Sequence, residues 1–228
     1  MKLEPVTLEG RVVRLEPLTL AHVPALCEIG LDESLWRLTI AQIRTETDMR
    51  AYVQEALDAQ SAGKALPFAT VDAATGCVIG STRFGNADLP NRRVEIGWTW
   101  IAPAWQRTGA NTEAKFLMLR HAFEVLGCMR VELKTDVLNT KSRNAMLRIG
   151  ATEEGVHRKH QVTQSGRIRD SIWFSIVDDE WPRVRERLLE MMSRPYPPSA
   201  SAPSTSPGGT SADARHPSGS ESTSALRG

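Results

Sequence analysis

Residues 94–137 restrict the possible folds of this chain more than any other stretch. "VEIGWTWI", 94–101, is rich in β-branched and aromatic residues and reads as a strand. The chain then turns at Gly109, and "TEAKFLMLRHAFEVL" reads as a helix over 112–126, apolar on most sides. "RVELKTDV", 130–137, is a second strand. A strand, a helix and a strand in that order form a crossover, so the two strands lie parallel.

The flanking segments add strands and helices in an α/β order. "RVVRLEPL" alternates as a strand, "TLAHVPALCEIG" is a helix, and "TETDMRAYVQEALDAQSAG" is a second helix capped at Thr45 or Thr47. Two apolar runs around "DAATG" form a hairpin. After the crossover, "NTKSRNAMLRIG" is a short helix that starts at Asn139 and stops at Gly150. "EEGVHRKHQV" and "GRIRDSIWFSIV" pair as antiparallel strands, and "DEWPRVRERLLEMM" closes the folded part, with Pro182 tolerated in its first turn. This order predicts a mixed sheet with helices on its faces. Residues 1–192 form one domain. Residues 193–228, rich in Pro, Ser, Gly and Ala, cannot bury enough apolar surface to offset their ordering entropy and read as a disordered tail.

Composition narrows the function. A formal net charge of +1 gives no overall field for nucleic acid or an anionic membrane. The three cysteines, Cys27, Cys77 and Cys128, are scattered with no CxxC pair, which speaks against a zinc site or a disulfide framework. No metal is expected. No signal peptide or membrane span is evident, and the expected location is the cytoplasm.

The corner before helix 112–126 has two readings. A helix N-terminus offers unpaired amides and the positive end of the helix dipole, so it can hold a phosphate. Gly109 and Ala110 keep side chains out of the way, and Arg107 can add a charge-assisted contact. Equally, the corner is a plain strand-to-helix turn. It is neither a Walker loop nor GxGxxG.

"QRTGAN", Gln106 to Asn111, resembles the Q/R-x-x-G-x-G/A pyrophosphate loop of the GNAT superfamily of acyl-CoA-dependent N-acetyltransferases. The branch it is most similar to is the RimJ/RimL type, the ribosomal-protein alanine acetyltransferases. The likeness continues through "NTEAKFLMLRHAFEVLG", "RVELKTDVLNTKSRNAMLRIGA", "EEGVHRKH" and "RDSIWFSIVDDEW", and covers residues 8–190. It implies a mostly antiparallel mixed sheet whose central parallel pair splays apart, with helices on both faces and acetyl-CoA, the co-substrate, in the gap. The co-substrate contacts it implies are Ile101, Gln106, Arg107, Thr108, Gly109, Ala110, Asn111 and Thr112, with Asn139 and Ser142 beside the pantetheine arm and the sulfur. The backbone N–H near Ile101 polarises the carbonyl on family geometry. Three positions depart from the pattern. Asn111 stands where Gly or Ala is usual, Arg107 where Gly is frequent, and Met146 where many members place a tyrosine.

The implied reaction is direct acetyl transfer to a primary amine. Ser142 is the candidate that assists the departing thiolate; alternatively Asn139 only caps its helix and Ser142 satisfies a first-turn N–H. Glu95 is the candidate base, provided burial raises its pKa. Strand alternation places Glu95, Gly97, Thr99 and Ile101 on one face and Val94, Ile96, Trp98 and Trp100 on the other. The bland alternative for Glu95 is an ion pair with Arg92 or Arg93. His157 and His160, three apart on a strand, are expected on opposite faces. His121 is expected in the core, Trp36 is a candidate substrate contact, and "HRKHQV" reads as a solvated edge strand. The acceptor amine belongs to a protein or peptide N-terminus or to a small molecule such as an antibiotic or metabolite. A non-catalytic acyl-CoA sensor and a homodimer both remain open.

Overall fold

The computed structural model describes residues 2–194; of the expected tail, 193–228, Ser193 still belongs to the last helix and residues 195–228 lie outside the described residues. Eight strands form one sheet in the order β1-β2-β3-β4-β5-β6-β8-β7. They are β1 (Leu8–Glu9), β2 (Val13–Pro17), β3 (Leu66–Asp72), β4 (Val78–Asp88), β5 (Arg93–Ile101), β6 (Arg130–Asp136), β7 (Thr152–Val162) and β8 (Ile168–Val177). Among them only β5 and β6 pair in parallel. That pair joins for three residues, Arg93–Glu95 against Arg130–Glu132. Beyond it β5 runs on to Ile101 paired with β4 alone and β6 to Asp136 paired with β8 alone, so the two strands part and the expected splay is present.

Helices cover both faces. On one side α1 (Val23–Gly30) and α2 (Glu46–Ser61) pack with Trp36 and Trp100 in an apolar cluster. Thr45, not Thr47, caps α2, its side chain accepting from the Asp48 amide at 3.1 Å. On the other side α3 (Ala110–Arg120), α4 (Thr140–Ile149) and α5 (Trp181–Ser193) share a larger cluster with Val94, Ile96 and Ile101. A π-helical turn, His121–Val125, extends α3. Gly150 ends α4 in the left-handed region at φ 99°, the conformation that favours glycine. The buried carboxylate of Glu113 on α3 accepts from the amides of Arg11, Val12 and Val13 at 3.0, 2.6 and 2.8 Å, which ties the β1–β2 turn to the helix layer.

The alternation expected along β5 fails halfway. Trp98 sits at φ 50°, and the β4–β5 register shifts opposite it, between Ser81 and Arg83. This bulge inserts one residue and exchanges the faces beyond it. Thr99 and Ile101 therefore join Val94 and Ile96 on the α3 side, while Trp98 and Trp100 turn toward α1 and α2 with Glu95. A second irregularity with Lys159 at φ 51° does the same on β7. His157 and His160, expected on opposite faces, lie 5.6 Å apart between ring centroids, and both pack against Trp173. β7 is an edge strand, mostly exposed, as expected.

Candidate active site

Each of the splayed strands leads to a helix N-terminus. β5 ends at Ile101, whose carbonyl accepts from the Gln106 side chain at 2.9 Å. The turn that follows bends at Arg107, at φ 65°, a conformation that costs a non-glycine residue energy. Its side chain is exposed. Thr108 Oγ1 donates to the Trp105 carbonyl at 2.7 Å and accepts from the Ala110 amide at 3.2 Å. Helix α3 starts two residues earlier than expected, with Gly109 at its N-cap, so Asn111 lies in the first turn rather than at the cap. The N-cap glycine offers no side-chain cap, and Thr108 takes only the first amide. The amides of Asn111 and Thr112 precede the first i→i−4 bond, which Glu113 makes to Gly109 at 2.9 Å. Thr112 is buried as a whole residue, and its side chain accepts from Arg148 on α4 at 3.3 Å.

The end of β6 is built differently. Asn139 caps α4, its side chain accepting from the Ser142 amide at 3.0 Å. The Ser142 hydroxyl makes no hydrogen bond among the described residues and is half-buried. Lys141 on the same turn donates to the Gln106 side chain, a bridge between the two helix starts. Met146, the position at which the resemblance implied a tyrosine, is buried in the apolar cluster.

Glu95 is 2% exposed, on the α1/α2 side of the sheet. Its Oε2 accepts from Lys134 Nζ and from Asn86 Nδ2, both at 2.7 Å. The ion pair is therefore with Lys134, 39 positions away, and not with Arg92 or Arg93. Arg93 instead binds Asp88 and Glu132, and Arg92 donates to the Gly127 carbonyl. Glu95 Oε1 lies against Gly97, where a Cβ would come within 2.7 Å of it. A side chain at that position would have to push the oxygen aside.

Sequence reasoning missed two lysines. Lys134 follows Glu132 with period two on β6, which is the signal that would have placed it beside Glu95. Lys115 lies within an apolar run on α3. Its ammonium donates to Thr99 Oγ1 at 2.7 Å, and burial pushes its pKa down to about 7. Trp36 is not a substrate contact: it is 2% exposed, and its indole donates to the Gly30 carbonyl at 2.7 Å. His121 is half-buried on Phe84, and burial lowers its pKa. A cavity of about 630 Å³ lies elsewhere, between the β1–β2 turn, α3 and α5, and touches none of the candidate residues.

The model for the acetyltransferase (GNAT) domain matches residues 13–152, more than half of the chain. The chain belongs to the GNAT acetyltransferase family. A solved GCN5-related N-acetyltransferase from Brucella melitensis is 33% identical, covering 83% of this chain and 86% of that one with a TM-score of 0.77. Mycobacterium smegmatis RimJ, solved with CoA-disulfide, is 24% identical with a TM-score of 0.71 over 82% of this chain and 95% of that one, a likeness of fold. YdaF of Bacillus subtilis strain 168, provisionally named a ribosomal N-acetyltransferase, is 36% identical over 106 residues. That stretch is 46% of this chain, and it spans a little over half of YdaF, 57%. The GNAT architecture expected from the sequence is the one observed, with its central parallel pair. Among the described residues no helix is long and apolar enough to cross a membrane.

Proposed function

We propose that this GNAT domain transfers the acetyl group of acetyl-CoA directly to the α-amine of a protein or peptide N-terminus. The carrying observation is the parting of β5 and β6 after three paired residues, with the uncapped helix start of α3 at the end of one strand and Ser142 at the end of the other. The amides of Asn111 and Thr112 and the positive end of α3 suit a diphosphate, and Arg107 can add a charge. The CoA-disulfide in RimJ and the name given to YdaF support the same co-substrate and acceptor class.

In this reading the amine nitrogen attacks the thioester carbonyl. The C–N bond forms as the C–S bond breaks; one proton leaves nitrogen and one reaches sulfur. Oε1 of Glu95, the oxygen that Lys134 and Asn86 leave free, receives the proton of the amine. Ser142 donates a hydrogen bond to the departing thiolate, and Asn139 positions it by capping α4. The amide near Ile101 polarises the carbonyl.

The test is thiol release from acetyl-CoA against a panel of N-terminal peptides and small amines. Release that depends on peptide supports the proposal. Release only with small amines assigns a small-molecule acceptor, and CoA binding without turnover against the panel makes the domain a sensor.

A further inference from the structure

The face of the sheet that carries Glu95 presents a belt of cationic and aromatic side chains across five strands. Arg83 on β4 stacks its guanidinium 4.4 Å from the Trp98 ring centroid and 5.3 Å from that of Tyr52. Lys134 on β6 lies 4.9 Å from the Trp173 ring of β8, which His157 and His160 of β7 flank. Arg169, two positions from Ser171 on β8, donates to the Ser171 hydroxyl at 3.1 Å.

The carboxylates of this face are already engaged. Glu95 pairs with Lys134, and buried Asp136 pairs with Arg167. Arg83 and Arg169 are 3% and 5% exposed, yet neither hydrogen-bonds a buried carboxylate among the described residues. Among the described residues the one ion pair of Arg83 is a 3.4 Å contact to Glu55, whose side chain is 67% exposed, a geometry of little energetic worth. Arg83 Nη2 is buried with no hydrogen-bond partner among the described residues, and so is Trp173 Nε1. A desolvated guanidinium with an orphaned N–H is costly unless something neutralises it. Here the orphaned donors sit on both sides of the candidate base.

We propose that the acceptor carries a carboxylate close to its primary amine, and that Arg83 binds this carboxylate while the amine lies at Glu95. The proposal rests on the transfer reading above and adds a substrate class to it. Arg83 meets a carboxylate with two N–H groups in a planar fork. The Trp98 ring, held by the β5 bulge, keeps that fork in place. The shared chemistry has two sources, an acidic residue near a peptide N-terminus or the α-carboxylate of a free amino acid.

The experiment measures kcat/KM by thiol release for matched acceptors. One pair of peptides differs only by Glu against Gln at the second position; the other pair is a free amino acid and its carboxamide. The wild-type protein is expected to prefer the acidic member of one pair by about tenfold or more, and that pair names the source. In Arg83→Met the preference should fall to near one, with acetyl-CoA affinity unchanged. Arg83→Lys should keep part of it. Equal rates within both pairs overturn the inference and leave the transfer reading intact, as does a preference that survives in folded Arg83→Met. No transfer to any of the four acceptors overturns both. If Arg83→Met does not fold, the wild-type ratio still decides.

Discussion

The two helices that follow the splayed strands begin in opposite ways. At α4 the chain supplies its own cap, the Asn139 side chain on the Ser142 amide. At α3 the N-cap residue is a glycine and supplies none, Thr108 before it takes only the Ala110 amide, and Arg107 holds a strained positive φ. A side-chain cap is worth about 1 kcal/mol, so omitting one is a cost that a bound anion can offset. The difference separates two tasks. In the proposed reading, the cap of α4 holds the backbone of Ser142 before any ligand arrives, while α3 leaves first-turn amides for the ligand.

The largest effect expected is at the capped helix. Ser142→Ala should lower turnover about 100-fold, the lower range for a positioned proton donor, with acetyl-CoA affinity nearly unchanged. Steady-state kinetics beside calorimetric titration separates the two quantities, and unaltered turnover removes Ser142 from the chemistry.

One turn into α3, Lys115 provides a pH test. Its folded pKa, about 7, lies below the unfolded value near 10.4. The unfolded state therefore binds more protons between those values, and stability rises with pH across that window. The gain from pH 7 to 9 should be about 2 kcal/mol. Lys115→Met should abolish this gain in denaturant titrations; an identical pH dependence in the variant would place the proton elsewhere.

Asn111→Asp sharpens the contrast directly. A carboxylate in the first turn of α3 favours the helix by about 0.5 kcal/mol but repels a diphosphate. Acetyl-CoA should bind about tenfold more weakly while the melting temperature holds or rises, an opposition that a plain turn would not produce. The smallest effect is at the cap. Asn139→Ala should cost about 1 kcal/mol of stability in chemical denaturation.

Much of this contrast was legible in the sequence. The crossover, the helix starting at Asn139 and its stop at Gly150 follow from local signals that the tertiary structure respects. The bulges were not. A single residue at positive φ, Trp98 on β5 or Lys159 on β7, reverses every face beyond it, and neither side chain marks that conformation. Partners distant in the chain were hidden for a related reason. Glu95 has two arginines nearby in sequence, yet strand order brings Lys134 to it. Trp36 sits in a loop, but its apolar area and its indole bond to Gly30 draw it into the core.

The account rests on the α3 amides gripping the diphosphate of coenzyme A. Calorimetric titration with coenzyme A and, separately, with pantetheine, which lacks that diphosphate and the phosphoadenosine beyond it, run on the wild-type protein and on Asn111→Asp, tests it most directly. Coenzyme A should bind the wild-type protein at least about 100-fold more tightly than pantetheine, the scale of two to three charge-assisted hydrogen bonds. Equal affinity for the two compounds, or no binding of coenzyme A by folded protein, would contradict it.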